Sequence, residues 1–440
     1  MEILKRNKSK EPYERKKISR VIQKAFESVG TSLDEAILKN MVDDIEENLF
    51  HEVNLGHEAT VEDIQDLVEM TLVKNNYYKE VKSFILYRDE RKKKRRIRSR
   101  LAAYFPEMTG LEDLLKDIQT DYPEEEYALS ALDVKFRSFY KEHMSLSERQ
   151  QFLLKASVEL TTKDAPKWEF IASRLYFMQY QSHLTLAMKE LGVDGFYEKL
   201  EYLTEIGLYG DYILKSYTRQ EIEEAYTFID ESRNSLLTYS ALELLLKRYV
   251  IRTHANISIE SIQEMYLGIA LHLAMLEAKE NRLSWVKRFY DMISTLKVTM
   301  ATPTLANARK PYHQLSSCFI DTVPDSLDGI YRSIDNFAKV SKFGGGMGLY
   351  FGKVRAKGST IRGFEGAAGG VIRWIRLAND TAVAVDQLGV RQGAVAVYLD
   401  AWHKDLPEFL NLRTNNGDDR LKAHDVFPAV CFPDYFWTQV

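Results

Sequence analysis

Cysteine is nearly absent: the 440 residues hold two, Cys318 and Cys431, too few for a disulfide framework or a four-cysteine zinc site within the chain. No stretch approaches the ~18 consecutive apolar residues of a membrane-spanning helix. The opening Met1-Glu2-Ile3-Leu4-Lys5-Arg6 lacks the apolar centre of a secretory signal. Charge of one sign is not in excess either, with 60 Lys and Arg facing 64 Asp and Glu for a formal charge of −4. That balance speaks against wholesale wrapping of nucleic acid. The 9 histidines fall in no His-Glu-x-x-His and in no other metal-ligand spacing. A Gly-x-Ser-x-Gly elbow and a Gly-x-x-x-x-Gly-Lys phosphate loop are missing. The Gly344–Gly348 cluster fails the dinucleotide fingerprint, because Phe351 stands where the third glycine belongs. Secreted, membrane and collagen-like readings are thereby excluded. The expectation is a cytoplasmic protein with neither membrane nor nucleic acid as partner and no metal held by this chain.

What is present suffices for sizeable cores, since 45% of the residues are hydrophobic and 28% charged. At roughly 150 residues per domain, two to four domains are expected. Residues 1–92 read as a small helical bundle with a short N-terminal hairpin. Ile18, Val21, Ile22, Ala25 and Phe26 recur at helical steps and predict a helix over 15–29. Further helices are predicted over 33–50, over 61–75 after the capping-box-like Thr60-Val61-Glu62-Asp63, and from 77 toward 91. The basic run 91–100 reads as a solvated helix end entering a linker, with 93–143 as linker and helical segment. The chain is helix-rich through 144–295. From 296 to 440 glycine clusters appear, and short apolar runs (347–351, 394–399) alternate with helical stretches (328–341, 371–384). The fold class is therefore α/β with an α-rich N-terminal half, its last part a sheet or barrel with crossover helices.

Several loops carry chemistry. Lys5 and Arg6, followed by a helix start, suit phosphate or form a charged surface strand. Cys318 beside Ser316 and Ser317 is either a redox or radical-adjacent thiol or a small buried hydrophobe, the reading that fits Cys431 well. Asp325-Ser326-Leu327 either caps a helix or hydrogen-bonds a ribose. Arg355 and Arg362, with Gly358 and Ser359 between them, suit phosphate through forked hydrogen bonds. Gln387-Leu388-Gly389-Val390-Arg391-Gln392-Gly393 is a second flexible, arginine-bearing loop. Together these describe nucleotide-handling loops.

An ordered series of segments resembles the large, catalytic subunit of ribonucleotide reductase. The segments are Ala301-Thr302-Pro303-Thr304-Leu305-Ala306-Asn307, Gln314-Leu315-Ser316-Ser317-Cys318-Phe319, Asp325-Ser326-Leu327, Gly344-Gly345-Gly346-Met347-Gly348, the stretch from Val354 to Gly363, and Gly389 to Ala394. Upstream, Ile229-Asp230-Glu231-Ser232-Arg233, Thr238-Tyr239-Ser240-Ala241 and Trp285-Val286-Lys287-Arg288-Phe289-Tyr290 resemble the helical N-terminal domain of its class I form. Residues 1–92 resemble the ATP-cone through Lys5-Arg6, Glu11-Pro12-Tyr13, Lys17-Ile18 and Ile64-Gln65-Asp66-Leu67-Val68. The start of 144–295 resembles a degenerate second cone.

The resemblance implies an ATP-cone, a helical domain and the first portion (296–440) of a truncated ten-stranded α/β barrel. It implies radical reduction of ribonucleotides to deoxyribonucleotides, in which a thiyl takes the 3′ hydrogen and a cysteine pair supplies electrons. Cys318 matches one catalytic thiol of that pair. Thr302 and Ser317 match substrate contacts, and Gln387 and Arg391 the loop relaying base choice to substrate. Asp325, Ser326, Leu327, Arg355 and Arg362 match the specificity site for a deoxynucleoside triphosphate (dNTP). Lys5, Arg6, Glu11, Lys17 and Thr60 match ATP or dATP contacts of the cone. Implied partners are the C-terminal remainder of the large subunit, a metal-containing small subunit that supplies the radical, a large-subunit dimer, and thioredoxin or glutaredoxin. The family's Asn-Leu-Cys-x-Glu segment is missing from these residues. The expectation is thus a fragment, an intein-interrupted product or half of a split gene, inactive alone. Two other readings stand beside it: an inactive nucleotide-sensing protein, and part of a cobalamin-dependent class II reductase.

Overall fold

In the computed structural model, which describes residues 1–5, 9–389 and 391–440, the chain divides into a first unit, 1–160, and a second, 161–440. Arg6, Asn7, Lys8 and Val390 lie outside the described residues. The expected hairpin opens the first unit: β1 (Glu2–Leu4) pairs antiparallel with β2 (Lys10–Pro12), Ile3 opposite Glu11. Helices α1 (Arg15–Ser28), α2 (Glu35–Asn54), α3 (Val61–Lys74) and α4 (Tyr78–Ala103) follow. Ile18, Ile22, Ala25 and Phe26 of α1 pack on Met41, Val42 and Ile45 of α2 and on Val68 and Leu72 of α3. Val21, on the same face by spacing, is instead 38% exposed and borders a cavity. Thr60 and Asp63 form the capping box at the start of α3, satisfying two otherwise orphan N–H groups.

The basic run departs from expectation. The helix expected to run only toward 91 continues through it: α4 is 26 residues long in all and ends at Ala103, three residues past the run. The repulsion expected of like charges is relieved by acids close at hand and far off in sequence. Lys94 pairs with Glu90 at 2.7 Å, Arg98 with Glu112 at 3.4 Å, and Arg100 with Asp133, whose fully buried carboxylate also takes Arg137 at 3.0 Å. Helices α5 (Leu111–Asp121), α6 (Leu129–Phe139) and α7 (Leu146–Val158) complete the unit.

The second unit begins with helices α8 (Trp168–Leu191), α9 (Phe196–Glu205), α10 (Asp211–Ser216), α11 (Arg219–Tyr226), α12 (Tyr239–Arg248), α13 (Ile262–Ala274) and α14 (Lys279–Ser294). Burial extends around all sides of α13, the mark of a central helix, and its neighbours pack around it. The short α15 (Thr302–Asn307) leads to alternating strands and helices. These are β3 (Cys318–Thr322), α16 (Leu327–Lys342), β4 (Gly346–Tyr350), α17 (Ile372–Ala384), β5 (Val395–Asp400), α18 (Leu406–Leu410), β6 (Val426–Cys431) and α19 (Asp434–Gln439). Among the described residues, the four strands form one parallel sheet in the order β3-β4-β5-β6. Met347, Leu349, Val395, Val397 and Leu399 face Ile330 and Phe337 of α16 and Ile372, Ile375 and Ala378 of α17. The opposite alternation leaves Ile320 87% exposed and Phe427 57% exposed. A helix-rich N-terminal half followed by parallel, helix-connected strands is the architecture expected from the sequence.

Candidate functional site

Two groups of predicted residues lie at opposite ends of the sheet. Beyond the C-terminal ends of β3 and β4, Asp325, Ser326, Leu327, Arg355, Arg362 and Trp374 line one cavity of 430 Å³. Ser326 caps α16, its Oγ accepting the Gly329 N–H at 3.1 Å. Arg355 donates to the Asp325 carboxylate from its backbone N–H at 3.2 Å and from Nε at 2.8 Å, and its Nη1 donates to the Thr360 carbonyl at 2.9 Å. Arg362 holds φ +48°, in the left-handed region where non-glycine residues are uncommon. Its guanidinium has no hydrogen-bond or ion-pair partner among the described residues. The cavity therefore offers one committed and one uncommitted guanidinium, a carboxylate and a helix start, a set suited to a phosphate-bearing ligand with hydroxyls.

At the N-terminal end of β3, Cys318 is exposed, its Sγ 3.5 Å from the Ser317 hydroxyl. The Ser317 carbonyl accepts the Gly346 N–H at 2.8 Å, joining this corner to the start of β4. Gln387 closes its loop by mutual backbone bonds with Arg391. Its Nε2 donates to the Gly345 carbonyl at 3.3 Å, while its buried Oε1 has no partner among the described residues. Thr302 begins α15, and its hydroxyl lies 3.2 Å from that of Tyr249. Ser317, Cys318 and Gln387 thus gather about the β3–β4 entry, whereas Thr302 is anchored to α12's end by Tyr249.

The second thiol differs. Burial, with Asp400 adding to it, pushes Cys431 above the ordinary thiol value. A thiol reagent such as 5,5′-dithiobis(2-nitrobenzoate) is expected to react in two phases. Cys318→Ser should remove the fast phase and Cys431→Ser the slow one. Loss of the slow phase on replacing Cys318 would contradict the assignment.

In the first unit, Glu11 accepts ion pairs from both Lys5 and Lys17, and Lys17 also reaches Glu14 at 3.0 Å. The three line a cavity of 160 Å³ with Ile3, Val61 and Ile64. Thr60 stands beside it at the start of α3, which the Leu4 N–H to Ala59 carbonyl bond (2.8 Å) holds against β1. Its hydroxyl donates to Asp63 at 2.7 Å. Predicted Arg6 lies outside the described residues. Lys17, Val21 and Gln65 also border a 730 Å³ cleft whose walls carry Arg20, Lys24, Arg88 and Arg91. The smaller cavity alone is below the ~300 Å³ typical of a small-ligand site, and the adjoining cleft supplies the remainder.

Sequence reasoning missed His403 and Asp405, which sit beneath the 430 Å³ cavity, and the buried Arg309–Glu260 pair behind α15. A signal for Asp405 was present in Asp405-Leu406-Pro407, a helix-start pattern. Among the described residues no group of three or more His, Cys, Asp or Glu is placed to hold a metal ion, and no helix is long and apolar enough to cross a membrane.

Three family models match: an ATP cone domain over residues 1–93, a ribonucleotide reductase all-alpha domain over 235–313, and a ribonucleotide reductase barrel domain over 316–440. The ribonucleoside-diphosphate reductase subunit alpha of Treponema pallidum (strain Nichols) is 60% identical over 443 residues, covering 100% of this chain and 52% of its own length. The corresponding subunit of Helicobacter pylori (strain ATCC 700392 / 26695) is 40% identical over 71% of this chain and 38% of its own. That of Escherichia coli (strain K12), subunit alpha of reductase 1, is 30% identical over 66% and 38%. The chain spans about half the length, or less, of these curated relatives.

Proposed function

Because the chain belongs to the family of ribonucleotide reductase large subunits, we propose that it supplies the regulatory and part of the substrate-reducing machinery of a class I ribonucleoside-diphosphate reductase. In this reading the cavity beyond β3 takes a deoxynucleoside triphosphate. The Asp325 carboxylate then receives a ribose hydroxyl, and Arg355 and Arg362 the phosphates. The cleft of the first unit takes ATP or dATP through Lys5, Arg6, Lys17 and Glu11, near Thr60. Cys318 is one thiol of the pair that reduces the 2′ position, with Thr302 and Ser317 toward substrate and Gln387 and Arg391 in the relaying loop. A metal-bearing small subunit supplies the radical, further large-subunit polypeptide supplies the remaining thiols, and thioredoxin or glutaredoxin renews the pair. A large-subunit dimer in the cytoplasm is the proposed setting.

One observation carries this reading. Asp325 and Arg355, 30 residues apart, meet in a cavity that also holds Ser326 and the unpartnered Arg362. Calorimetric titration of the full chain with dTTP and, separately, ATP tests it. Arg362→Ala is expected to weaken dTTP binding about tenfold or more, as loss of one charge-assisted phosphate contact does, and to leave ATP binding intact. Lys17→Ala should do the reverse. If neither nucleotide binds, or Arg362→Ala leaves dTTP affinity unchanged, the reading is wrong.

A further inference from the structure

The loop carrying Arg355 and Arg362 runs from the end of β4 to the start of α17, and both of its ends converge on one buried carboxylate. Asp405 is 4% exposed. Its Oδ1 accepts the Lys357 N–H at 2.9 Å and its Oδ2 accepts the Val371 N–H, also at 2.9 Å. Asp405 sits at the N-cap of α18, where an aspartate ordinarily accepts an N–H of its own helix. Here it makes no such bond. Its acceptor capacity is turned toward the loop instead.

His403 acts alongside. Its Nε2 donates to the Val354 carbonyl at 2.9 Å, and its Nδ1 accepts the Asp405 N–H at 3.1 Å. Residues 354, 357 and 371, which bracket the arginine-bearing loop, are therefore all tied to the turn 403–405. Gly370, at φ +81°, fits this arrangement tightly: a Cβ there would lie 2.5 Å from Asp405 Oδ2. Between these ties the loop is closed on itself by the Gly358 N–H to Ala368 carbonyl bond (2.9 Å) and the Ala368 N–H to Ser359 carbonyl bond (3.0 Å).

We propose that Asp405, supported by His403, is a positioning residue for the effector cavity. It pins the two ends of the 355–370 loop, so that Arg355 and Arg362 are presented to a dNTP's phosphates in one fixed arrangement. The inference rests on the effector-cavity reading above, and its test separates the two. Preorganised donors avoid the ordering cost a mobile loop would incur on binding.

The test uses the full chain carrying Asp405→Asn, which preserves shape and removes the charge that strengthens both N–H bonds. Three readouts are compared with wild type: dTTP affinity, ATP affinity, and the rate of tryptic cleavage after Lys357 and Arg362. The expected result is dTTP binding about tenfold weaker, faster cleavage at those two sites, and unchanged ATP binding. Unchanged cleavage and dTTP affinity overturn the proposal. If wild type binds no dTTP, the cavity reading fails, while the cleavage rate still decides whether Asp405 pins the loop. Should Asp405→Asn fail to fold, Gly370→Ala disturbs the same contact from the loop side, and wild-type cleavage in that variant overturns the proposal equally.

Discussion

Replacing Glu260 by alanine is expected to destabilise the second unit by about 3–5 kcal/mol, the usual cost of leaving a buried charge uncompensated. The side chain of Arg309 is 0% exposed and that of Glu260 3%. Nε of Arg309 donates to one Glu260 oxygen at 2.6 Å and Nη2 to the other at 2.5 Å. The remaining donors reach the Leu305 and Tyr249 carbonyls, each at 2.8 Å. Glu260 in turn accepts the Ile251 N–H at 2.9 Å. Arg309 therefore fastens the end of α15 to α12, and α15 is the element that begins with Thr302. Denaturant unfolding of the full chain, followed by a probe in the second unit, measures the loss. Glu260→Leu combined with Arg309→Met should recover much of it, since two apolar groups leave no orphan charge. A shift below about 1 kcal/mol for Glu260→Ala would mean that water or a rearranged partner compensates the guanidinium.

How much of this was readable beforehand follows from the range of the interactions. The face of α1, Val21 apart, and the strands β4 and β5, each within one residue of the predicted run, were legible because burial there follows a local period. The Thr60–Asp63 box was legible because both partners lie within four residues. The passage of α4 through its basic run was not, because, Glu90 apart, the acids that neutralise it come from residues 112 and 133. Nor was the burial of Arg309 legible, because its partner Glu260 lies 49 residues upstream. The loops proposed to bind nucleotide stand between these cases. Residue type suggested phosphate chemistry at Arg355 and Arg362, but only the parallel β3–β4 pairing brings Asp325 to Arg355. Asp405 illustrates the limit: its sequence signature points to capping, and the side chain serves a loop instead.

A preparation of the 440-residue polypeptide, mixed with a radical-generating small subunit, a dithiol and a ribonucleoside diphosphate, is expected to form no deoxyribonucleotide. The proposed chemistry needs one sulfur to carry the radical and two to form a disulfide, and these residues hold two cysteines in all. Nor do those two serve as the pair. Cys318 starts β3 and Cys431 ends β6, at opposite edges of the sheet. Three strand spacings of ~4.8 Å place them roughly 14 Å apart across the sheet, and six residues of register add about 20 Å along it. A disulfide requires Cα atoms within about 7 Å. Product analysis by chromatography decides the matter, and any dithiol-dependent deoxyribonucleotide from this polypeptide would refute the assignment of roles. When polypeptide bearing the missing thiols is added back, turnover should appear. Cys318→Ser is then expected to bring it to background, while Cys431→Ser, altering a half-buried thiol at the far edge, leaves it in place. Equal loss in both variants would mean that Cys431 acts through the fold of the sheet or that the thiol roles are exchanged, and either outcome defeats the proposal that Cys318 alone contributes sulfur from this chain.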